Sequence, residues 1–149
     1  MSTSEPQTPS NGADHADIVD RANALAAAVP PSEAAQAAAT ESRDIEEIVT
    51  GLGLPTELRA AACLYPFVRE ELITEKQLEN NSLGDISRIV IDLLQLGRFK
   101  LSGDWQPGEA LAARQSEALR KMLLAVVSDA RLVLVRIAEQ LCRLRAARH

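Results

Sequence analysis

Apolar residues recur at helical spacing along most of the chain, and this pattern constrains the fold more than any other feature. Residues Ile86, Ile89, Val90, Leu93 and Leu94 follow the i, i+3, i+4, i+7, i+8 spacing of a helix that buries one face. No run of alternating apolar and polar residues bounded by turn residues is present, so no β-strand is predicted. We therefore expect an all-α multi-helix bundle, with one core of ordinary size for 149 residues.

Capping residues and prolines predict where the first helices begin and end. Pro30 and Pro31 should end a helix that starts near Asp17. The alanine-rich residues 32–39 are compatible with either a short helix or a flexible arm. Ser42 is a candidate N-cap for the next helix, which the glycines of residues 51–53 should close.

Helix boundaries are also predicted in the middle of the chain. Thr56 is expected to cap a helix that Pro66 interrupts, because proline lacks a backbone N–H donor. Thr74 and Gln77 form the sequence signature of a capping box, so a short helix should begin there and end by residues 80–81. Residues 98–110 contain two glycines and a proline and are predicted to form a loop.

The C-terminal part of the chain, residues 112–149, is predicted to be helical. Ser128 should divide it by capping a second helix. That second helix is apolar on nearly every side over residues 132–144, as in a helix buried at the centre of a domain. Because the sequence ends a few residues later, we expect a domain truncated at its C-terminus that can self-associate through residues 132–144.

The chain is predicted to contain three parts. Residues 1–14 hold almost nothing to bury and should be a disordered tail. Residues 15–40 should form a helical or flexible N-terminal arm, and residues 41–149 an incomplete helical domain.

Composition excludes several classes of function. The net charge is −5, and the basic residues after Arg114 are spread along helices, so direct nucleic-acid binding is not expected. No secretory signal and no apolar run of about 20 residues is present, so no membrane partner is expected. Cys63 and Cys142 lie in apolar stretches as core thiols, which favours a cytoplasmic location. The motifs of serine, cysteine and P-loop chemistry are absent.

Three segments resemble one bacterial enzyme family. Residues 119–145, LRKMLLAVVSDARLVLVRIAEQLCRLR, resemble the N-terminal hydrolase-like (HD) domain of the RelA/SpoT family, which makes and degrades guanosine tetra- and pentaphosphate. Residues 45–64, IEEIVTGLGLPTELRAAACL, are similar to the segment that leads into that family's His-Asp motif, and residues 83–90, LGDISRIV, to the segment that follows it. The resemblance covers residues 41–146 and implies an HD-domain fold.

Hydrolysing members of that family hold a divalent metal that activates water for attack on phosphorus. The resemblance places seven residues of this chain at the metal and catalytic positions: Glu41 for the first His, Tyr65 and Pro66 for His-Asp, Arg69 and Glu70 for Glu-Asp, and Glu139 and Arg143 for the final Asp and Asn. These positions are therefore expected to be degenerate, with no catalytic residue, metal or cofactor.

The side chains themselves support that expectation. Pro66 has no donor atom, and Arg69 brings a fixed positive charge to a place where a cation would bind. The two histidines of the chain, His15 and His149, lie far from these positions in the sequence. For the carboxylates we expect salt bridges to Arg69 and Arg143 rather than a metal site; these carboxylates are Glu41, Glu70 and Glu139.

The leading hypothesis is a catalytically inactive pseudo-hydrolase domain, a fragment of a RelA-type GTP pyrophosphokinase with a regulatory role in the stringent response. Its partner would be the synthetase domain of a longer parent chain, and the chain alone would neither make nor degrade the alarmone. One alternative is a freestanding helical protein-interaction module. Another is an active phosphohydrolase with altered ligands.

Overall fold

The computed structural model describes residues 11–98 and 113–148. Seven helices occupy these ranges: α1 (Asn11–Ala27), α2 (Glu33–Gly51), α3 (Thr56–Arg69), α4 (Glu75–Asn80), α5 (Gly84–Arg98), α6 (Ala113–Ser128) and α7 (Leu132–Ala146). No strand occurs in the part of the chain so described. The predicted all-α bundle is confirmed.

Helix α3 lies at the centre of the bundle and packs against α1, α2, α5 and α7. Its residues 60–64, three alanines followed by Cys63 and Leu64, are buried on every side of the helix. Small side chains allow neighbouring helices to approach closely, whereas larger ones would hold them apart. The alanine-rich sequence of α3 therefore explains why this helix, rather than α7, is the most enclosed.

The N-terminal helix extends further than predicted. Helix α1 begins at Asn11, so the expectation of disorder is wrong for residues 11–14, while residues 1–10 lie outside the described part of the chain. Ala22 is fully buried, and Ile18, Val19 and Leu25 pack against the same core. Helix α1 is thus one wall of the bundle.

Helix α2 is continuous across the position where a new helix was predicted. It begins after Ser32, whose hydroxyl accepts the Ala35 N–H at 3.0 Å, so residues 33–39 are helical. Ser42 is therefore not an N-cap; it lies buried inside α2 and its hydroxyl donates to the Cys63 carbonyl of α3 at 2.8 Å. The predicted boundary between residues 40 and 41 falls within this helix. Its C-terminal end at Gly51 agrees with the prediction.

Pro66 does not end α3, contrary to the prediction. The helix starts at Thr56 with Pro55, not Thr56, in the N-cap position, and it continues past Pro66 to Arg69. Proline removes only one backbone donor, and residues 65–67 around it are buried in the bundle. The continuation matters because it carries Arg69 into the site described below.

Two predictions in the middle of the chain are confirmed. Thr74 and Gln77 form the capping box of α4, with the Thr74 hydroxyl accepting the Gln77 N–H and the Gln77 side chain accepting the Thr74 N–H. Helix α5 buries Ile86, Val90 and Leu93 on one face, as the apolar spacing predicted. The predicted loop at residues 98–110 lies almost wholly outside the described residues.

The last two helices separate where predicted, but Ser128 does not cap the second of them. Ser128 is the final residue of α6 and its hydroxyl donates to the Leu124 carbonyl at 2.9 Å, so it does not cap α7. The Asp129 carboxylate accepts the Arg131 N–H at 2.9 Å just before α7, and Arg131, the N-cap residue of α7, makes no side-chain capping bond. Helix α7 buries only one face in the bundle, although its sequence predicted burial all round; the buried residues are Leu132, Val135, Ala138, Glu139 and Cys142.

Candidate functional site: an arginine cluster

Helices α2, α3 and α7 bring charged side chains together at one place. The Arg69 guanidinium of α3 donates two hydrogen bonds to the Glu41 carboxylate of α2, from Nη1 to Oε1 at 2.8 Å and from Nη2 to Oε2 at 2.5 Å. Arg69 Nη1 also donates to Glu139 Oε1 of α7 at 2.8 Å. A paired, parallel geometry of this kind is the strongest that arginine forms with a carboxylate.

Glu139 is the most deeply buried charged residue of this group, with its side chain 1% exposed. Three guanidinium groups surround it: Arg69, Arg136, which pairs with Oε2, and Arg143, whose Nη2 lies 3.0 Å from Oε1. An unpaired carboxylate at this depth would be strongly unfavourable, so the arginines are what allow Glu139 to stay inside the bundle. We call this set the arginine cluster; its members are Glu41, Tyr65, Arg69, Arg136, Glu139 and Arg143.

Tyr65 supplies both a ring and a hydroxyl to the arginine cluster. Its hydroxyl accepts a bond from Arg136 Nη1 at 2.5 Å and lies 3.4 Å from Glu139 Oε1. The Cζ atoms of Arg69 and Arg136 each lie 5.6 Å from the centroid of its ring, within the range of cation–π attraction. Tyr65 therefore holds two guanidinium groups in place.

Arg136 was missed by the sequence analysis. Its spacing of three residues before Glu139, in an otherwise apolar stretch, is the signal that would have found it. Gly97 of α5 makes room for it, because a Cβ atom at that position would lie 3.2 to 3.3 Å from the Arg136 guanidinium atoms. The arginine thus lies between the Tyr65 ring and the backbone of α5.

Three further predicted positions differ in what they contribute: Glu70 and Arg143 reach solvent, and Pro66 has no polar side-chain atom. Glu70 accepts a bond from Arg69 Nε at 3.0 Å at an exposed edge. Arg143 is 48% exposed, and its Nε lies 3.5 Å from Glu41 Oε1. Pro66 is buried within α3 and contributes no polar atom. The structure therefore brings together six of the seven predicted positions through ion pairs or hydrogen bonds.

Glu41 and Arg69 stabilise each other's charged form. Burial alone would raise the pKa of Glu41, but its hydrogen bond to Arg69 and the charges of Arg69 and Arg143 together hold that pKa below the ordinary value. The same hydrogen bond to Glu41 raises the pKa of Arg69 despite partial burial. Both groups are therefore charged at neutral pH.

A divalent metal, which the family resemblance implies for hydrolysing members, does not fit these residues. Within residues 11–98 and 113–148, no three His, Cys, Asp or Glu side chains converge as ligands. The oxygens of Glu41 and Glu139 already contact guanidinium groups, and no imidazole joins them. A cation would also meet the repulsion of Arg69 at close range.

A cleft of about 290 Å³ opens beside the arginine cluster. We call it the arginine cleft; its polar lining consists of Tyr65, Arg69, Arg98, Arg136, Glu139 and Arg143. Leu94 and Gly97 of α5 complete its wall. The lining is dominated by positive charge, which suits anions better than cations.

Comparison with known proteins is consistent with the geometry of the bundle. A family model described as HD domain matches residues 22–149. That match begins within α1, in agreement with the packing of α1 against α3. No solved structure gives a significant match.

Curated relatives are enzymes named GTP pyrophosphokinase. The one from Photobacterium angustum is 30% identical over 106 residues, which cover 69% of this chain and 14% of that enzyme. Those from Haemophilus influenzae and Myxococcus xanthus are 28% and 27% identical and cover 71% and 81% of the chain. The chain thus spans about 14% of the length of these relatives.

Among the described residues, no helix is long and apolar enough to cross a membrane.

Proposed function

This chain belongs to the HD-domain family, in its RelA/SpoT branch, and from this premise we propose that it is a catalytically silent hydrolase-like domain. Its role would be regulatory, in the guanosine tetraphosphate metabolism of the stringent response. In a longer parent chain, a synthetase domain would be its partner. The proposal includes a cytoplasmic location, which the two free cysteines favour.

The position of Arg69 is the observation that carries this proposal. One of its nitrogens, Nη1, lies 2.8 Å from a carboxylate oxygen of Glu41 and 2.8 Å from one of Glu139. A guanidinium thus joins the two carboxylates that a metal would otherwise have to share. Water activation by a metal needs an intact coordination shell with an open position, and these residues supply neither.

The regulatory part of the proposal is supported by the relatives. Each of the three is named for the synthesis reaction, GTP pyrophosphokinase, and this chain matches only a small part of each. A silent domain in such a protein can still act by contact with the remainder of the chain. The half of α7 that is not buried in the bundle offers a surface for that contact.

A manganese-dependent assay tests the absence of hydrolysis. The chain should show no heat of manganese binding in calorimetry and no release of pyrophosphate from guanosine tetraphosphate. A hydrolysing member of the family, assayed in parallel, controls for substrate and metal quality. Metal-dependent turnover that disappears in Glu70→Ala would contradict the proposal and favour an active phosphohydrolase with altered ligands.

A freestanding protein-interaction module is the second candidate. The exposed apolar side chains of α7 favour it, since Ile137 is 57% and Leu144 is 65% exposed. Under this alternative, light scattering should show a defined complex with a partner protein. The regulatory proposal instead expects contact with a synthetase domain supplied separately.

A further inference from the structure

Among the described residues, the arginine cleft contains one more cation than its ion pairs use. Arg69, Arg136 and Arg143 contact the carboxylates of the cluster, but Arg98 forms no ion pair within the described residues. The cleft and its ion-pair partners together hold four guanidinium groups and three carboxylates. The guanidinium groups are those of residues 69, 98, 136 and 143, and the carboxylates are those of residues 41, 70 and 139. The surplus charge lies on the exposed Arg98 at the cleft.

The donors of the cleft are also geometrically prepared for an anion. Arg136 is held between the Tyr65 ring and Gly97, with its side chain only 18% exposed. Arg143 is 48% exposed; its Nε and Nη2 face Glu41 and Glu139, and its Nη1 contacts no carboxylate of the described residues, which leaves that nitrogen for a further anion. Arginine is suited to phosphate groups because its planar fork can donate two parallel bonds to two oxygens.

The size of the cleft limits what it can take. Pockets for drug-sized ligands measure about 300 to 1,000 Å³, so a cleft of about 290 Å³ lies at or below the lower end. A phosphate or a diphosphate group is small enough to fit such a cleft. The charge of the lining therefore favours an anion, and the volume admits a small one.

We propose that the arginine cleft binds a small phosphate-class anion, inorganic pyrophosphate or phosphate, without a metal. Arg98 and Arg143 would donate to the anion, while Arg69 and Arg136 would remain tied to Glu41, Glu139 and Tyr65. The site rests on the proposed function in one respect, since it occupies the degenerate hydrolase position. It requires no catalysis.

Titration of the 149-residue chain with inorganic pyrophosphate, in the presence of a metal chelator, tests this site. Calorimetry should detect saturable binding of about one pyrophosphate per chain, and pyrophosphate should raise the melting temperature. Arg98→Gln and Arg143→Gln should each weaken binding by about tenfold, which corresponds to the loss of one charge-assisted contact. Circular dichroism melting of both variants checks that they fold.

Arg145→Gln is the matched control, because it removes the same charge from the same helix, two residues beyond Arg143, without lining the cleft. Its affinity should stay within about twofold of the parent. Equal weakening in all three variants would show diffuse charge attraction and overturn the site. An absence of binding by pyrophosphate and by phosphate would overturn it as well.

A nucleoside diphosphate distinguishes the small anion from a nucleotide ligand. Affinity similar to that of pyrophosphate supports recognition of the phosphates alone, whereas more than about tenfold tighter binding would overturn the assignment to a small anion. Because these titrations contain no metal and measure no turnover, their failure leaves the proposed absence of hydrolysis intact. Manganese-dependent turnover would contradict that proposal without deciding anion binding.

Discussion

At the scale of single residues, the guanidinium of Arg69 is the centre of the site. It joins α2 to α7 through Glu41 and Glu139, and its Cζ lies 5.6 Å from the centroid of the Tyr65 ring on its own helix. Ion pairs between these side chains were expected from the sequence, because both glutamates and arginines occupy the degenerate metal positions. The exact partners were not predictable, since Arg136 lies against Gly97 of another helix, where a Cβ atom would approach its guanidinium to 3.2 to 3.3 Å.

Replacing Arg69 by Met should destabilise the protein by about 3 kcal/mol. The substitution keeps a similar volume but leaves Glu41 and the buried Glu139 with fewer cationic partners. Urea denaturation monitored by circular dichroism measures the free energy of unfolding. Arg120→Met is the control, because Arg120 pairs with Glu117 on the surface of α6 and its loss should leave the free energy of unfolding nearly unchanged.

A double-mutant cycle measures the interaction energy between Glu41 and Arg69 apart from their contacts with other residues. Glu41→Gln and Arg69→Met together should cost less than the sum of the two single changes, with a coupling of about 1 to 3 kcal/mol. Additive costs would show that the bidentate contact contributes little and that the cluster is held by packing alone.

Acid should weaken the fold through Glu41. The pKa of this carboxyl is lowered in the folded protein from its ordinary value of 4.5, so its ionised form stabilises the fold above pH 4.5. That contribution is lost as the pH falls through the folded pKa. The difference in the free energy of unfolding between the parent and Glu41→Gln should therefore shrink between pH 4.5 and more acidic conditions. A difference that stays constant in urea denaturation across this range would contradict the ion pair.

At the scale of helices, local signals predicted the boundaries only where no tertiary contact competed with them. The capping box of Thr74 and Gln77 lies in a short helix and was predicted correctly. Ser42 and Pro66 carry equally clear local signals for a helix start and a helix break, yet both lie inside helices that are buried in the core. For Ser42 the deciding contact is the Cys63 carbonyl of α3, which no local pattern contains.

The face of α7 that enters the core can be tested by charge insertion. Val135 is 1% exposed, so Val135→Asp should bury an unpaired carboxylate and cost about 3 kcal/mol or more, with loss of cooperative unfolding. Val133 is 36% exposed on the same helix, and Val133→Asp is the matched control. It should melt close to the parent. Equal melting of the parent and Val135→Asp would mean that this face of α7 is not the core.

At the scale of the whole molecule, one apolar surface is left uncovered by the described residues. Val133, Ile137, Leu141 and Leu144 follow one another at intervals of four, four and three residues and line a shared groove along α7. They are between 36% and 65% exposed. Contiguous apolar surface of this kind marks interaction sites in soluble proteins. The sequence predicted this excess of apolar residues, but it could not predict which face remains exposed.

We expect the 149-residue chain to self-associate through this groove, because pairing two copies would remove both apolar faces from water. Leu141→Glu should reduce association by placing a charge in the middle of the contact, and sedimentation velocity over a range of concentrations measures the effect. Val127→Glu is the control: it introduces the same charge at a side chain of α6 that is 83% exposed and does not line the groove, and it should associate like the parent. A strictly monomeric parent chain would contradict self-association and leave the groove to a different protein or a different part of a longer chain. Equal loss in both variants would attribute association to net charge rather than to the α7 face.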